Sequence, residues 1–454
     1  MWQRLTPGDL MMLWPEDFGW REDMGALAVV AGTSIATPDG AVRLREVRDF
    51  VEGRLAAVHR FRQRLLVPRW GLGRPLWVDA SDFDICHHVN TETLRDPADL
   101  LTVSAAIFSR PFDWSRPLWQ MWLLSGLPEG RMGLLIKLHH TMADAQAGLA
   151  LLGAFLDVGP DPKPGPKAPE RWRPEDPPTP GELLRDNVTT RWAAVRRGLG
   201  SLRHPAQAAR RSADNVALVR RMSHHEKAPT TSLNRPVLGA ARVFATAQVG
   251  VAAGKAVAHD HGGTLNDVLL CAVAGGLRQL LQSRGEPTEG RSLIANVPVS
   301  RHRPGEASGN EVGTMFVPLP VGKMTAGERL AAVAQTSAVS KATMLVPPTS
   351  ALLNNRRVQR MFWRGMRRQR YSNVYVSNVP GPPIPLYFAG CRLERIVPLT
   401  SGVGNVPVGV GAISYAGELI IAAAGDEATS PDIAVLAQGI QQTLDELVTR
   451  AGRS

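Results

Sequence analysis

The alternation of apolar and polar residues predicts a chain of mixed strands and helices, with one notable junction near residue 140. Residues 132–138 form an apolar run of strand length, and apolar residues recur at helical spacing over residues 147–156. The segment between them is therefore predicted to be a turn. It carries the sequence HHTMADA over residues 139–145.

Similar patterns predict further elements and a break near the middle of the chain. Two proline-dense stretches, residues 159–166 and 174–180, cannot form a helix or a central strand. A chain of 454 residues is also too long for one ordinary core. We therefore predict an N-terminal half over residues 1–158, a linker with basic helices over 159–232, and a C-terminal half over 233–454. The elements predicted within them are strands over 26–30, 242–249 and 374–376, and helices over 44–61, 100–109, 181–223 and 265–282.

The turn at residues 139–145 offers the side chains of a general base. An imidazole there can be neutral near pH 7 and can take a proton from a hydroxyl. Asp144 lies four residues after His140, where it either orients the ring or caps the following helix. The alternative interpretation is a structural histidine pair. The pair His87-His88 has no aspartate at the equivalent offset, and we interpret it as structural.

Short motifs follow one another in a fixed order over nearly the whole chain. Beside HHTMADA they are Leu5–Asp9 with Met24-Gly25, Arg116–Trp119, Gly126-Leu127, Thr264–Val268, Asn296–Ser300, Gly309-Asn310, Pro318–Pro320, Ser377–Pro382 and Ser414–Gly417. In this order they resemble the bacterial wax ester synthase/diacylglycerol acyltransferase family, whose signature is HHxxxDG. Ala145 stands where that signature has glycine. Alanine is strained there if the backbone needs a left-handed conformation, and favourable if the residue begins a helix.

The resemblance implies a fold, a reaction and a set of site residues. The fold is α/β, with two chloramphenicol-acetyltransferase-like domains and an active-site tunnel between them. The reaction transfers a fatty acyl group from acyl-CoA, a co-substrate, to a hydroxyl of diacylglycerol or a long-chain alcohol, and it implies neither a further cofactor nor a metal. His140 would be the general base, while His139 shapes the site and Asp144 orients the turn or the ring.

The resemblance also implies substrate-binding residues in the C-terminal half. Asn266 is expected to line the tunnel, or else the helix is capped by Asn266 or Thr264. Ser377, Asn378 and Gly381 are expected in a turn after the strand at 374–376. That turn either lets the backbone approach the thioester or pantetheine arm, or is simply structural.

Two other functions compete with this one. The first is an acyltransferase of the same superfamily that acts on another hydroxyl or on an amine, against which the PLW motif at Pro117–Trp119 and the lack of a carrier-protein module count. The second is a catalytically silent protein that binds lipid surfaces, with Ala145 as a mark of lost activity. The presence of both histidines and Asp144 argues against it. Acyl-chain length, preferred acceptor and oligomeric state are not readable from the sequence.

The net charge of +11 is concentrated in two stretches. Residues 191–221 contain eight arginines and one acid, and residues 356–370 contain seven arginines and no acid, so the rest of the chain is slightly acidic. Both stretches interleave arginines with apolar residues, which favours anionic membrane or lipid-droplet surfaces. The alternative is a merely solvated helix face. Nucleic-acid binding is disfavoured because no recognition motif accompanies the charge.

The remaining composition indicates the cellular compartment. Cys86, Cys271 and Cys391 are scattered, which argues against disulfides and a zinc site and fits a reducing cytoplasm. The N-terminus has no secretory signal pattern, and no apolar run approaches the ~18 residues that span a membrane. We expect a cytoplasmic protein, peripheral to the inner face of the membrane or to lipid inclusions.

Overall fold

A computed structural model describes residues 2–68, 72–142, 148, 152–162, 172–201, 226–300, 312–344 and 356–451. The helices of these residues are α1 Pro7–Leu13, α2 Leu44–Arg54, α3 Leu100–Phe108, α4 Pro180–Ser201, α5 Val251–Asp260, α6 Leu265–Ser283, α7 Ala326–Ala342, α8 Arg356–Met366 and α9 Ile433–Ala451. Four of them begin at capping boxes, in which a threonine and an acidic residue three positions later satisfy each other's backbone N–H groups. The pairs are Thr6 and Asp9, Thr179 and Glu182, Thr264 and Asp267, and Thr325 and Glu328.

The strands form two six-stranded sheets and one three-stranded sheet within the described ranges. In chain order they are β1 Gln3–Arg4, β2 Asp23–Ala31, β3 Gln63–Leu66, β4 Leu76–Asp79, β5 Val89–Thr93, β6 Trp119–Ser125, β7 Arg131–His139, β8 Arg242–Gly250, β9 Ser292–Ser300, β10 Val312–Pro320, β11 Val374–Pro380, β12 Tyr387–Phe388, β13 Cys391–Leu399, β14 Val408–Tyr415 and β15 Glu418–Asp426. The first large sheet has the order β12-β13-β2-β7-β6-β5 and the second β10-β9-β11-β14-β15-β8. The predicted α/β class is confirmed.

Sheet pairing joins the two halves of the chain. β13 comes from the C-terminal half, yet it pairs antiparallel with β2, from Leu393 opposite Val30 to Leu399 opposite Gly25. The rings of Phe108 and Phe244 also meet across the halves, with centroids 5.7 Å apart. The domain bounds stay a prediction, namely 1–158, 159–232 and 233–454. The hydrogen bonds between β13 and β2 connect the first of these ranges with the last.

Most predicted elements in the described residues lie where the pattern indicates. The strands predicted at 26–30 and 242–249 are β2 and β8, and the helices at 100–109 and 265–282 are α3 and α6. The predicted helix over 44–61 is wrong beyond Arg54, because the chain continues as two short 3-10 turns separated by Val58, whose φ of −133° is not helical. Of the basic helices predicted over 181–223, α4 is described as far as Ser201, and the remainder lies outside the described residues.

Two large cores support this architecture. One fills the space around the first sheet, and the other surrounds α6, which is buried over the whole of residues 267–277. α9 crosses α6 closely, since a Cβ on Gly276 would lie 2.5 Å from the carbonyl oxygen of Leu436. Among the described helices, none is both long and apolar enough to cross a membrane.

Candidate active site

The two histidines of the HHTMADA sequence lie where β7 ends. His139 is the last residue of β7 and is paired with Asp23 on β2. The His140 N–H donates to the Glu22 carbonyl over 2.8 Å, and the Met142 N–H donates to the His139 carbonyl over 2.9 Å. These bonds turn the chain away from the sheet, so the strand-to-turn junction predicted from the pattern is present. The His140 side chain is half-buried.

His139 is enclosed by protein on all sides. Its side chain is fully buried, and the ring of Trp114 meets it edge-on with centroids 5.1 Å apart. The Thr141 N–H donates to His139 Nδ1 over 3.2 Å, and Nε2 lies 3.4 Å from Glu16 Oε1. A ring held in this way shapes the turn but cannot reach a substrate. The role of His139 in shaping the site stays a prediction.

Asp144 and Ala145 lie outside the described residues. The two interpretations of each therefore stay predictions. The same holds for most of the helix predicted after the turn.

A buried ion pair lies beside the histidines, and sequence reasoning missed it. Lys137 is fully buried on β7, and its Nζ lies 3.1 Å from Asp23 Oδ2. The Lys137 ammonium also donates to the Arg110 carbonyl and lies 4.3 Å from the ring centroid of Phe112. Burial lowers the pKa of Lys137 and raises that of Asp23, and the ion pair opposes both shifts. The available signal was a lysine inside the apolar run of β7.

The predicted substrate-binding residues Asn266 and Asn378 contact each other. Thr264 caps α6, so the alternative that Asn266 is the cap is wrong. Instead, Asn378 Nδ2 donates to Asn266 Oδ1 over 3.3 Å, and both side chains are partly exposed. This amide pair joins the start of α6 to β11.

The predicted turn containing Ser377 begins later than expected. Ser377 and Asn378 belong to β11, where they pair in parallel with Gly411 and Ala412 on β14. The strand continues past residue 376 because this neighbour satisfies the backbone through Pro380. The Ser377 hydroxyl lowers the pKa of Tyr375 and so opposes part of the effect of burial.

Gly381 follows β11 and packs directly on β14. Its N–H donates to the Ser414 carbonyl over 3.0 Å, and a Cβ at this position would lie 2.3 Å from that same oxygen. A side chain cannot fit in so small a space. The packing against β14 therefore requires glycine at residue 381, which supports the interpretation of this turn as structural.

Two further ionisable residues connect the histidine turn with β11. Burial raises the pKa of Glu22 to about 8, with smaller contributions from Glu16 and Asp23, while Arg242 opposes the shift. Burial raises the pKa of Tyr375 to about 12, and the charge of Glu22 adds to this shift. Neither residue was predicted from the sequence.

Of the histidine pair interpreted as structural, His88 is packed in the core, whereas His87 is exposed. The His88 ring is buried and stacks against Trp119 and Phe83, with centroids 4.6 and 5.1 Å away. Its Nδ1 lies 2.9 Å from the Trp119 carbonyl oxygen. Burial lowers the pKa of His88 to about 4. His88 stays neutral inside the core and contributes to the stability of the fold. His140 differs from it, because the His140 side chain is half-buried in a turn.

Replacing His88 by alanine is expected to lower the free energy of unfolding by about 3 kcal/mol at pH 7.5, because two stacked ring contacts are lost. His87→Ala is the control, since His87 is exposed and its replacement should change the free energy of unfolding little.

The His88 pKa of about 4 in the folded protein is below the ordinary 6.5, so the unfolded chain binds the proton first as the pH falls. The cost of His88→Ala should therefore shrink between pH 6.5 and 4. Urea unfolding measures both effects, and an equal cost for the two variants would contradict the structural role.

Comparisons with known proteins cover nearly the whole chain. A family model described as the wax ester synthase/diacylglycerol acyltransferase catalytic domain matches residues 5–269, and one described as the WS/DGAT C-terminal domain matches residues 308–448. A Mycobacterium tuberculosis protein named as a diacylglycerol O-acyltransferase is 31% identical over 425 residues, which are 88% of this chain and 81% of the relative. A second M. tuberculosis protein named for the same activity is 30% identical and covers 95% of this chain and 92% of the relative.

Two solved structures show the same fold. The wax ester synthase/diacylglycerol acyltransferase from Marinobacter aquaeolei VT8 aligns with a TM-score of 0.69 and 24% identity, over 99% of this chain and 100% of that chain. The first condensation domain of the calcium-dependent antibiotic synthetase aligns with a TM-score of 0.62 and 15% identity, over 99% of this chain and 96% of that domain. The expected architecture of two chloramphenicol-acetyltransferase-like domains is consistent with both.

Proposed function

The chain belongs to the wax ester synthase/diacylglycerol acyltransferase family, and we propose that it transfers a fatty acyl group from acyl-CoA to the hydroxyl of diacylglycerol or a long-chain alcohol, with His140 as general base. The protein is an acyltransferase. The observation that carries the reaction class is the family match over residues 5–269. The observation that supports the base is the half-buried position of His140 in the turn after β7.

The reaction needs one group that accepts a proton and later returns it. His140 takes the proton of the acceptor hydroxyl while the hydroxyl oxygen attacks the thioester carbonyl. The same imidazole then gives the proton to the leaving thiolate of coenzyme A. Base catalysis of this kind contributes about 10² to 10⁴ in rate. Because the acceptor attacks directly, the mechanism requires no serine nucleophile.

The remaining site residues have supporting roles in this proposal. The burial of His139 leaves His140 as the imidazole able to meet the acceptor. Asp144 orients the turn or the ring of His140. Asn266 and Asn378 offer their partly exposed amides as polar contacts for the substrates, with Ser377 next to them on β11.

Release of free coenzyme A from palmitoyl-CoA tests this function. Dioleoylglycerol, hexadecanol and a long-chain amine are offered separately, and the products are separated by chromatography. We expect ester formation with at least one of the two hydroxyl acceptors and no amide. Amide formation alone would indicate the chemistry of a condensation-like enzyme. No release with any acceptor would contradict the proposal and favour a silent lipid-binding protein.

We also propose that the protein attaches to an anionic membrane or lipid-inclusion surface on its cytoplasmic side. One side of α8 packs on the protein: Gln359 and Trp363 are buried, and the Trp14 indole N–H donates to Gln359 Oε1 over 2.6 Å. Some arginines of the stretch also contact the body. Arg356 lies 4.4 Å above the ring of Trp14, and Arg360 lies 3.2 Å from Asp17.

The opposite side of α8 combines apolar and basic side chains at the surface. Met361 is 69% exposed and Phe362 is 41% exposed. Arg364 is exposed and lies three residues after Met361 on the same face of α8, and Arg368 is exposed in the turn that follows the helix. An exposed apolar pair flanked by arginines suits a surface with an apolar interior and anionic headgroups.

α4 carries a second such stripe. Leu184, Val188, Trp192 and Val195 are between 43% and 64% exposed and recur every three or four residues, so they share one helix face. Arg191 and the other arginines of this helix provide basic charge beside this face. Both basic helices therefore support peripheral attachment.

A further inference from the structure

Three consecutive backbone N–H groups hold the turn that carries the proposed base. The His140 N–H donates to the Glu22 carbonyl, and the Met142 N–H donates to the His139 carbonyl. Between them, the Thr141 N–H donates to a side chain, over 3.2 Å to Nδ1 of the His139 ring. Thr141 is buried, so its N–H would be costly to leave unpaired. The turn around His140 therefore depends on how the His139 ring is oriented.

The bond from Thr141 also determines which nitrogen of His139 carries the proton. A backbone N–H can only donate, so Nδ1 accepts with its lone pair, and the proton of the neutral ring is on Nε2. The Thr141 hydroxyl lies 2.8 Å from the same Nδ1 and can donate to it as well. The ring is thus held with its acceptor nitrogen toward the turn and its N–H group on the other side.

Glu16 is the residue that faces this N–H group. Its Oε1 lies 3.4 Å from His139 Nε2, which makes no hydrogen bond within the described ranges. The Glu16 side chain is 26% exposed, whereas that of His139 is fully buried. A carboxylate accepts protons from N–H groups and donates none, so it attracts Nε2–H and disfavours a ring whose lone pair faces it. Glu16 therefore favours the ring orientation that keeps Nδ1 toward the Thr141 N–H.

The chain around Glu16 is anchored to α8. Glu16 belongs to a short 3-10 helix between α1 and β2. The Trp14 indole N–H donates to Gln359 on α8, and Asp17 lies 3.2 Å from Arg360 on the same helix. These contacts on both sides of Glu16 in the sequence give its carboxylate a fixed place beside the ring.

A metal site at this position is disfavoured by the same geometry. Single ligand atoms of Glu16, Asp23 and His139 lie within 4.8 Å of one another. A neutral imidazole has one lone pair, however, and in His139 the Thr141 N–H already uses it. The Asp23 carboxylate is 3.1 Å from the Lys137 ammonium, whose charge repels a cation at the same place. The arrangement suits hydrogen-bonded positioning of the ring.

We infer that Glu16 is a positioning residue for His140, and that it acts through the ring of His139 and the N–H of Thr141. Glu16 fixes the ring, the ring holds the Thr141 N–H, and the turn so formed places the His140 imidazole against the acceptor hydroxyl. A displacement of about 1 Å in a reacting group costs about 10²-fold in rate, so a loosened turn lowers kcat although every substrate contact remains. This inference rests on the proposed role of His140.

The kinetic test measures kcat with palmitoyl-CoA and a water-soluble short-chain alcohol, which keeps lipid attachment out of the result. Glu16→Ala should lower kcat about 10-fold and leave the KM for palmitoyl-CoA unchanged, because the base is displaced while substrate contacts are kept. Glu16→Gln retains an oxygen that accepts from Nε2–H, so its kcat should stay within about 2-fold of wild type. Wild-type kcat in Glu16→Ala would overturn the inference.

Asp17→Ala is the matched control for Glu16→Ala. It removes the neighbouring carboxylate of the same 3-10 helix, which contacts Arg360 and not His139. Asp17 is exposed, so the loss of this ion pair should leave kcat within about 2-fold of wild type. All assays are run below the thermal unfolding midpoint of each variant. An equal fall of kcat in Asp17→Ala and Glu16→Ala would indicate a general effect of the 3-10 helix and overturn the inference.

NMR of the His139 ring gives a readout that needs no activity. With ¹⁵N-labelled histidine, the spectrum distinguishes protonated from unprotonated ring nitrogens, and His139→Ala identifies the signal among the 11 histidines. We expect the Nε2–H form alone in wild type and in Glu16→Gln, and a mixture of both neutral forms in Glu16→Ala. A proton on Nδ1 in wild type, or a wild-type spectrum in Glu16→Ala, would overturn the inference.

These results are distinguishable from the test of the base. If His140→Ala is inactive while Glu16→Ala keeps the wild-type kcat, the inference about Glu16 fails and the base remains. If His140→Ala keeps wild-type activity, the proposed base is wrong, and positioning of His140 by Glu16 is wrong with it. The ring spectrum then still decides whether Glu16 orients His139.

Discussion

Replacing His140 by alanine is expected to lower acyl transfer at least about 10²-fold while the protein remains folded. The side chain lies half-buried in a turn, and the bond that fixes the turn uses the backbone N–H of residue 140, which alanine retains. The measurement is kcat/KM with palmitoyl-CoA and the preferred acceptor, together with the thermal unfolding midpoint. If His140→Ala kept wild-type activity, His140 would not be the general base.

His139→Ala is the matched comparison, since it removes the same side chain one residue earlier. His139 is fully buried against Trp114 and next to Glu16. Its loss should lower the thermal midpoint more than His140→Ala does, because a cavity and an unpaired carboxylate remain. At temperatures where both variants are folded, His139→Ala should retain more activity. The opposite order in both measurements would exchange the roles of the two histidines.

The local sequence pattern was sufficient to predict the strand and the turn that carry the two histidines. The apolar run before residue 139 predicts β7, and the polar residues after it predict the turn, because both depend on neighbours a few positions away. The lack of an aspartate at the equivalent offset led to the structural interpretation of the pair at His87 and His88. His88 lies just before a half-buried strand, and its contacts with Phe83 and Trp119 confirm a place in the core.

Pairings between distant parts of the chain could not be predicted in this way. No periodicity indicates that β13 completes the first sheet next to β2, or that the His140 N–H donates to the Glu22 carbonyl. The sequence of β11 shows the same limit. Its serine, asparagine and proline residues are typical of a turn, yet pairing with β14 extends the strand to Pro380. Tertiary hydrogen bonds outweigh the local preference there.

The second large effect is expected at the surface of α8. Replacing Arg364 on α8 and Arg368 in the turn that follows it by glutamine removes two exposed charges near the end of the helix that carries Met361 and Phe362, while keeping long, helix-compatible side chains. Each arginine near an anionic surface contributes about 1 kcal/mol, so binding to phosphatidylglycerol vesicles should weaken roughly 30-fold. Co-sedimentation measures this change, and added salt should weaken wild-type binding as well.

A matched pair of arginines on the same helix separates a binding face from total charge. Arg356→Gln with Arg360→Gln removes the same two charges, but these side chains contact Trp14 and Asp17. This pair should lower thermal stability more and vesicle binding less than the outer pair. Because the acceptors reside in lipid, the outer pair should also reduce activity on vesicle-borne acceptor and spare activity on a water-soluble short-chain alcohol. Equal weakening by both pairs, or salt-independent binding of the wild type, would leave these arginines as an ordinary solvated surface.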